Sequence, residues 1–214
     1  MTVPAEPPHD CSLCQRLVDF RVSNRAENPD WFNAPVPSFG NIDARLLIVG
    51  LAPGLKGANL TGRPFTGDYA GDLLYETLLK YGFARGTYAA HARDGLQLVD
   101  SMITNAVRCV PPKNKPSAAE TNSCRPYLAA RIAALPELRV VLALGRVAHD
   151  NTLSALGERR AAHPFAHARA HALNSGLTLF DSYHCSRYNT NTGRLTAEMF
   201  ETVFDQIRRR LTAI

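Results

Sequence analysis

Four cysteines stand in two couples, Cys11 with Cys14 and Cys109 with Cys124. Two residues lie inside the first couple, fourteen inside the second and ninety-four between them. Thiolates are soft ligands, and only a folded domain could gather four from so far apart. The pattern asks for tetrahedral zinc or an iron–sulfur cluster, and spacing alone leaves both open. Other reactive side-chain types fall in three short polar runs, at 50–72, 103–109 and 184–196.

The first run, GLAPGLKGANLTGRPFTGD from Gly50 to Asp68, has glycines at 54, 57 and 62, and more follow at 67 and 71. Such a backbone can turn sharply and approach a ligand closely. It has neither the order of a nucleoside-triphosphate loop nor that of a dinucleotide site. Glycine content alone favours a structural turn. However, Asn59, Arg63, Phe65 and Asp68 add an amide, a cation, an aromatic plate and a carboxylate within ten residues. In the second run Asn105 interrupts an apolar strand, either as a satisfied core amide or as a group that donates and accepts toward a base edge. The third run opens on His184, which could donate to an oxygen that becomes negative, although a single histidine at a strand end is more often structural. Arg187, Tyr188 and Asn189 behind it suit a loop pressed on a nucleic-acid duplex, though they suit any polar loop as well.

These runs need a scaffold. The apolar stretches Arg45 to Gly50, Met102 to Val110, Arg139 to Leu144 and Thr178 to Tyr183 read as buried parallel strands. Helices are expected over 11–23, from about Asp72 to Tyr81, from the capping box Ser117/Glu120 to Leu135, after Gly145, and from Thr196 to about Leu211. Alternation of the two implies an α/β fold, a three-layer α/β/α sandwich around a central four-stranded, mainly parallel sheet. Ligands of such sheets bind at the carboxyl ends of the strands, where Gly50–Gly71, Thr104–Asn114 and His184–Asn189 all lie. Asp72 is expected to cap its helix, leaving Asp68 free; the alternative is that Asp68 is itself the cap.

The 214 residues fit one domain over 11–214 behind a loose tail over 1–10. Apolar content of 45% and charged content of 20% exclude a disordered chain. No segment has the length of a membrane span, and the first ten residues lack the features of a signal peptide. A cytosolic protein with reduced, metal-binding thiols is expected. Lys plus Arg exceed Asp plus Glu by 24 to 19, a modest bias toward polyanionic partners.

Taken together, GLAPGLKGANLTGRPFTGD, TNAVRCVPPKNKP and HCSRYNTNTGRLT resemble the uracil-DNA glycosylase superfamily, in particular its iron–sulfur-containing bacterial and archaeal families 4 and 5. The resemblance covers nearly the whole chain from Cys11. Ala52 stands where family 4 keeps a carboxylate, and the G-A-N-x-T-G-R run points to family 5, or type B. The resemblance implies a DNA glycosylase that hydrolyses the glycosidic bond of uracil, and of other deaminated or damaged bases, in base excision repair. Its partner is DNA, its location the nucleoid, and a monomer is expected.

The family also implies roles for individual residues. Cys11, Cys14, Cys109 and Cys124 match the ligands of a [4Fe–4S] cluster, with zinc as the alternative. Asp68 and His184 match the catalytic groups, with Asp68 in place of the missing motif-one acid. Phe65 matches the aromatic under the extruded base and Asn105 the base reader. His184 also binds the base, joined by backbone N–H groups of Gly54, Gly57 and Ala58. Arg63, Ser186, Arg187, Tyr188 and Asn189 are expected against DNA, and Arg108, Lys113, Lys115 and Arg125 near its phosphates. Where the family shows His-Pro-Ser, this chain has His184-Cys185-Ser186, so the loop loses proline's fixed φ and Cys185 is a free thiol. A non-catalytic, metal-stapled module that binds uracil-containing or other DNA is the alternative reading. His163, His167 and His171 recur every four residues, but Gly157, Pro164, Asn174 and Gly176 argue for a solvated basic loop there.

Overall fold

The structure is a computed structural model and describes residues 4–213. In chain order the strands are β1 (Phe39–Gly40), β2 (Leu46–Gly50), β3 (Ala84–Arg85), β4 (Gln97–Leu98), β5 (Ser101–Asn105), β6 (Val140–Leu144), β7 (Ala170–Ala172) and β8 (Thr178–Ser182). The helices are α1 (Gln15–Glu27), α2 (Ala58–Thr61), α3 (Tyr69–Lys80), α4 (Ala118–Ala133), α5 (Arg146–Ala155), α6 (Arg187–Asn191) and α7 (Ala197–Thr212).

The four apolar runs form the parallel centre of one sheet in the order β5-β2-β6-β8, with every residue buried. Because side chains alternate between faces, Leu46, Ile48, Leu142 and Phe180 pack under α3 and α7, while Leu47, Val49, Val141 and Leu179 pack under α4 and α5. Three layers result, as the alternation of elements implied. Two short antiparallel edges, β1 beside β5 and β7 beside β8, extend the expected four strands to six. At two and three residues they are too short to register as a period-two pattern.

Three boundaries differ from expectation in ways that matter for the site. β5 stops at Asn105, and Ala106 and Val107 donate to the carbonyls of Gly50 and Leu51. Arg108 and Cys109 therefore lie in a loop rather than in a strand. Helix α1 starts at Gln15 with Cys14 as its N-cap, which leaves Cys11 and Cys14 ahead of the helix. Helix α3 is capped by Asp68, whose Oδ1 accepts from the Gly71 N–H at 3.2 Å, and Asp72 sits inside the first turn. Of the expected tail, residues 1–3 lie outside the described residues. Further on, Glu6 accepts from Arg108 at 2.7 Å and Arg131 at 2.6 Å, which fastens its segment to the domain. Among the described residues no helix is long and apolar enough to cross a membrane.

Candidate active site

At the carboxyl ends of β2, β5, β6 and β8 opens a cavity of about 590 Å³, a size typical of small-molecule sites. Its wall includes Phe65, Asp68, Asn105 and His184. Parallel pairing produces the convergence. Gly50 lies opposite Asn105, and Leu144 opposite Ser182, two residues before His184.

Phe65 is 7% exposed and holds a left-handed backbone, φ +53°, which non-glycine residues adopt only when their surroundings enforce it. Those surroundings are visible. The Tyr75 hydroxyl donates to the Pro64 carbonyl at 2.6 Å, and Tyr88 donates to the Phe65 carbonyl at 3.4 Å. Arg63 donates through Nε to Thr66 Oγ1 at 2.7 Å and through both terminal nitrogens to Asp94, each at 2.7 Å. Its guanidinium also lies over the rings of Phe39 and Tyr75, 5.3 Å from each centroid. Arg63 is thus a buried clamp on the Phe65 loop. The expectation that it contacts DNA is corrected: the residue is 5% exposed and its donors are occupied. Asn59 likewise turns its amide to Asn33.

Asp68 combines two duties. One oxygen caps α3; the other sits in a cradle of two glycines, where a Cβ on Gly57 would come within 2.5 Å of Oδ2 and one on Gly54 within 2.9 Å. Burial raises the Asp68 pKa above the usual carboxylate range, against the lowering effect of the Gly71 and Ala70 N–H groups. A carboxylate so placed takes up a proton readily.

Asn105 is 2% exposed and its Oδ1 has no partner among the described residues. His184 Nδ1 is also buried without a partner. Its ring stacks at 29° to Phe65 with 5.8 Å between centroids, and burial pushes its pKa down to about 4. His184 is therefore a neutral imidazole at neutral pH, with one N–H to donate. Buried polar atoms are normally satisfied, so orphaned atoms on two residues of one cavity wall mark places for a ligand's complementary groups.

The remaining expected residues divide. Gly54, Ser186 and Arg187 line the cavity, whereas Gly57 and Ala58 are buried off its wall, Gly57 against the Asp68 carboxylate. Asn189 donates to the His184 carbonyl at 2.8 Å, while Tyr188 is 71% exposed. Arg187 rests 5.2 Å from the Tyr69 ring centroid at the mouth. Cys185 is fully buried and free, and its thiol donates to the Ala70 carbonyl at 3.3 Å. Sequence reasoning missed the wall formed by Gly145, Arg146 and Val147. The rule that located the other loops, applied to the strand ending at Leu144, would have found it.

Cys11, Cys14, Cys109 and Cys124 line a second, smaller hollow together with Arg21 and Arg108. All four are free, and no three of their sulfurs lie within 4.8 Å of one another. Burial pushes the Cys109 thiol up to about 12 and the Cys124 thiol up to about 11. Thiolates there need a positive partner, which a metal centre supplies. Arg21 Nη1 points at Cys109 Sγ at 3.7 Å, and the Arg108 N–H at Cys124 Sγ at 3.4 Å, so N–H donors already face two of the sulfurs. Arg108 itself is 1% exposed and paired with Glu6, which corrects its expected availability to phosphates.

The histidine-containing segment is only partly the solvated loop expected. His171 is buried and bonds Asp181 at 3.0 Å; Asp181 also meets His149 at 2.6 Å, and His149 Nε2 reaches the His163 carbonyl at 2.8 Å. These three buried side chains bond one another and nearby backbone groups, and tie α5 to β7 and β8.

A family model described as the uracil DNA glycosylase superfamily matches residues 37–208. This chain belongs to that superfamily. Over 205 residues, 93% of each chain, it is 45% identical to a type-5 uracil-DNA glycosylase of Thermus thermophilus. It is 41% identical to a type-5 enzyme of Mycobacterium leprae, over 93% of this chain and 90% of that one. A type-4 uracil-DNA glycosylase of Pyrobaculum aerophilum is 37% identical over 58% of this chain and 56% of its own. The superfamily match spans β1 to β8 and so takes in the four residues that meet in the cavity.

Proposed function

We propose that this chain is a uracil-DNA glycosylase that hydrolyses the bond between uracil and deoxyribose in DNA, initiating base excision repair, and that it also removes other deaminated or damaged bases such as hypoxanthine and ethenocytosine. The observation that carries the reading is the pair of orphaned buried atoms, Asn105 Oδ1 and His184 Nδ1, on the wall of a cavity that also holds a strained aromatic plate and a carboxylate.

A base in the stack cannot reach such a cavity and must be flipped out, at about a few kcal/mol and least for a mismatched base. Stacking on Phe65 returns ~1–3 kcal/mol. The Asn105 amide, held at the sheet edge, reads the hydrogen-bonding edge of the base. As the C1′–N1 bond breaks, negative charge gathers on uracil and positive charge on the sugar. Neutral His184 donates its N–H to the uracil oxygen, a contact of a kind whose loss typically slows reactions ~10²–10³-fold. Asp68, ionised, steadies the cationic sugar and orients the water whose oxygen joins C1′, and takes its proton. Ser186, Arg187 and Tyr188 lie at or beside the mouth and meet the DNA strand. Ala52 is on the wall in place of an acid, so the pocket is less polar and admits more than one base.

Cys11, Cys14, Cys109 and Cys124 are proposed to hold a [4Fe–4S] cluster. The group supplies architecture, since glycosidic hydrolysis moves no electrons: it joins the segment ahead of α1 to residues 109–124. Purified protein is expected to be brown, with a broad band at about 400 nm.

Oligonucleotides carrying uracil, hypoxanthine or ethenocytosine, incubated with the protein and heated in alkali, test the activity. Strand cleavage at all three lesions is expected. Cleavage at uracil alone would remove the claim of breadth, and binding without cleavage would leave only a DNA-binding module.

A further inference from the structure

Arg21 sits on α1 with 4% exposure, and it makes no ion pair with a carboxylate among the described residues. Its Nη2 donates to the Cys11 carbonyl at 2.9 Å, its Nη1 points at Cys109 Sγ at 3.7 Å, and its Nε has no partner. A guanidinium does not lose its proton in a protein, and a buried, unpaired charge is strongly unfavourable. Arg108 offers the contrast. It lines the same hollow, yet its charge is answered by Glu6 at 2.7 Å. Arg21 has only the cysteine sulfurs to answer it.

We infer that Arg21 is the counter-charge of the cysteine centre: its guanidinium offsets the negative charge of the four thiolates and favours the more electron-rich, reduced state of the metal group they hold. The inference rests on the proposed iron–sulfur centre. The physical content is an attraction between one fixed positive charge and the electron added on reduction. With the effective dielectric constant of a protein site, about 20, this is worth at least ~5-fold in the equilibrium between the two states at any separation out to ~15 Å, and Nη1 is 3.7 Å from the Cys109 sulfur. Hydrogen bonds to cluster sulfurs act in the same direction.

The test is spectroelectrochemical and independent of DNA. Wild type, Arg21→Met and Arg21→Lys, each purified with its metal, are poised against a mediator of fixed potential, and the ratio of reduced to oxidised centre is read from the absorbance near 400 nm. One electron passes between mediator and centre. The ratio is expected to fall at least ~5-fold in Arg21→Met and to stay within ~2-fold of wild type in Arg21→Lys. Should Arg21→Met not fold, Arg21→Gln keeps a donor, drops the charge and reads the same ratio. An unchanged ratio in the neutral variants, or an equal fall in Arg21→Lys, would overturn the inference. A wild type lacking the band would instead defeat the iron–sulfur reading, so the two failures are distinguishable.

Discussion

Adding one methyl group at Gly50 should disable the pocket while leaving the fold standing. Gly50 closes β2 opposite Asn105, and its backbone is not left-handed, so alanine is conformationally acceptable there. Space is what it lacks. A Cβ at this position would lie 2.4 Å from Asn105 Oδ1 and 2.6 Å from Phe65 Cζ, whereas ordinary contacts begin at 3.4 Å. The base reader, the base plate or both must retreat by about 1 Å, a displacement that can cost ~10²-fold in rate. Overpacking of this kind costs about 1–3 kcal/mol, less than the stability of most domains. The assay is single-turnover excision of uracil with Gly50→Ala in excess over substrate, beside a thermal melt. A folded variant slowed ~10²-fold is expected. A folded variant that excises at the wild-type rate would refute the claim that Asn105 and Phe65 must hold their present positions.

Other outcomes follow from the same geometry. Asp68→Asn keeps the α3 cap, because asparagine caps as well as aspartate, but loses the ionised group; excision should drop ~10²–10⁴-fold. Burial raises the Asp68 pKa in the folded protein, so stability is present at low pH and lost as pH rises through that value. A pH series of melts should therefore show wild type losing stability as pH rises above the ordinary carboxylate value and Asp68→Asn spared that loss; an equal loss in the variant would contradict the assignment. His184 has the opposite sign. With its pKa lowered from 6.5 to about 4, its contribution is present above 6.5 and lost as pH falls toward 4; in melts, His184→Gln should flatten that limb. Arg63→Met leaves Asp94 buried and unpaired, which should cost ~3–5 kcal/mol in denaturant titrations while the salt dependence of DNA binding stays the same. Arg187→Ala, by contrast, should reduce the slope of log affinity against log salt by ~0.9 if it meets one phosphate.

Much of the fold was legible because its strands are short, uniformly apolar runs closed by glycine, proline or polar loops, and Ser117 with Glu120 forms the capping box their spacing announced. The strand carboxyl-end rule then placed Phe65, Asp68, Asn105 and His184 at one edge of the sheet. Arg63 misled because an arginine in a polar loop reads as solvated, and nothing in its neighbourhood announces Asp94, thirty-one residues away, as its partner. Asp68 and Asp72 were confused as caps because both are good cap residues and differ only in where the turn tightens. His149, Asp181 and His171 come from three separate elements, and only the pairing of β7 with β8 together with the packing of α5 on the sheet brings them together. The edge strands β1 and β7 draw their stability from pairing partners rather than from any local pattern.

The most direct test is a crystal structure of the protein with free uracil bound. The ring should lie on the Phe65 face, with its hydrogen-bonding edge on the Asn105 amide, a carbonyl oxygen within hydrogen-bond distance of a His184 nitrogen, and the Asp68 carboxylate beside N1. Uracil seated elsewhere, or in the cavity without contact to Asn105 and His184, would contradict the account.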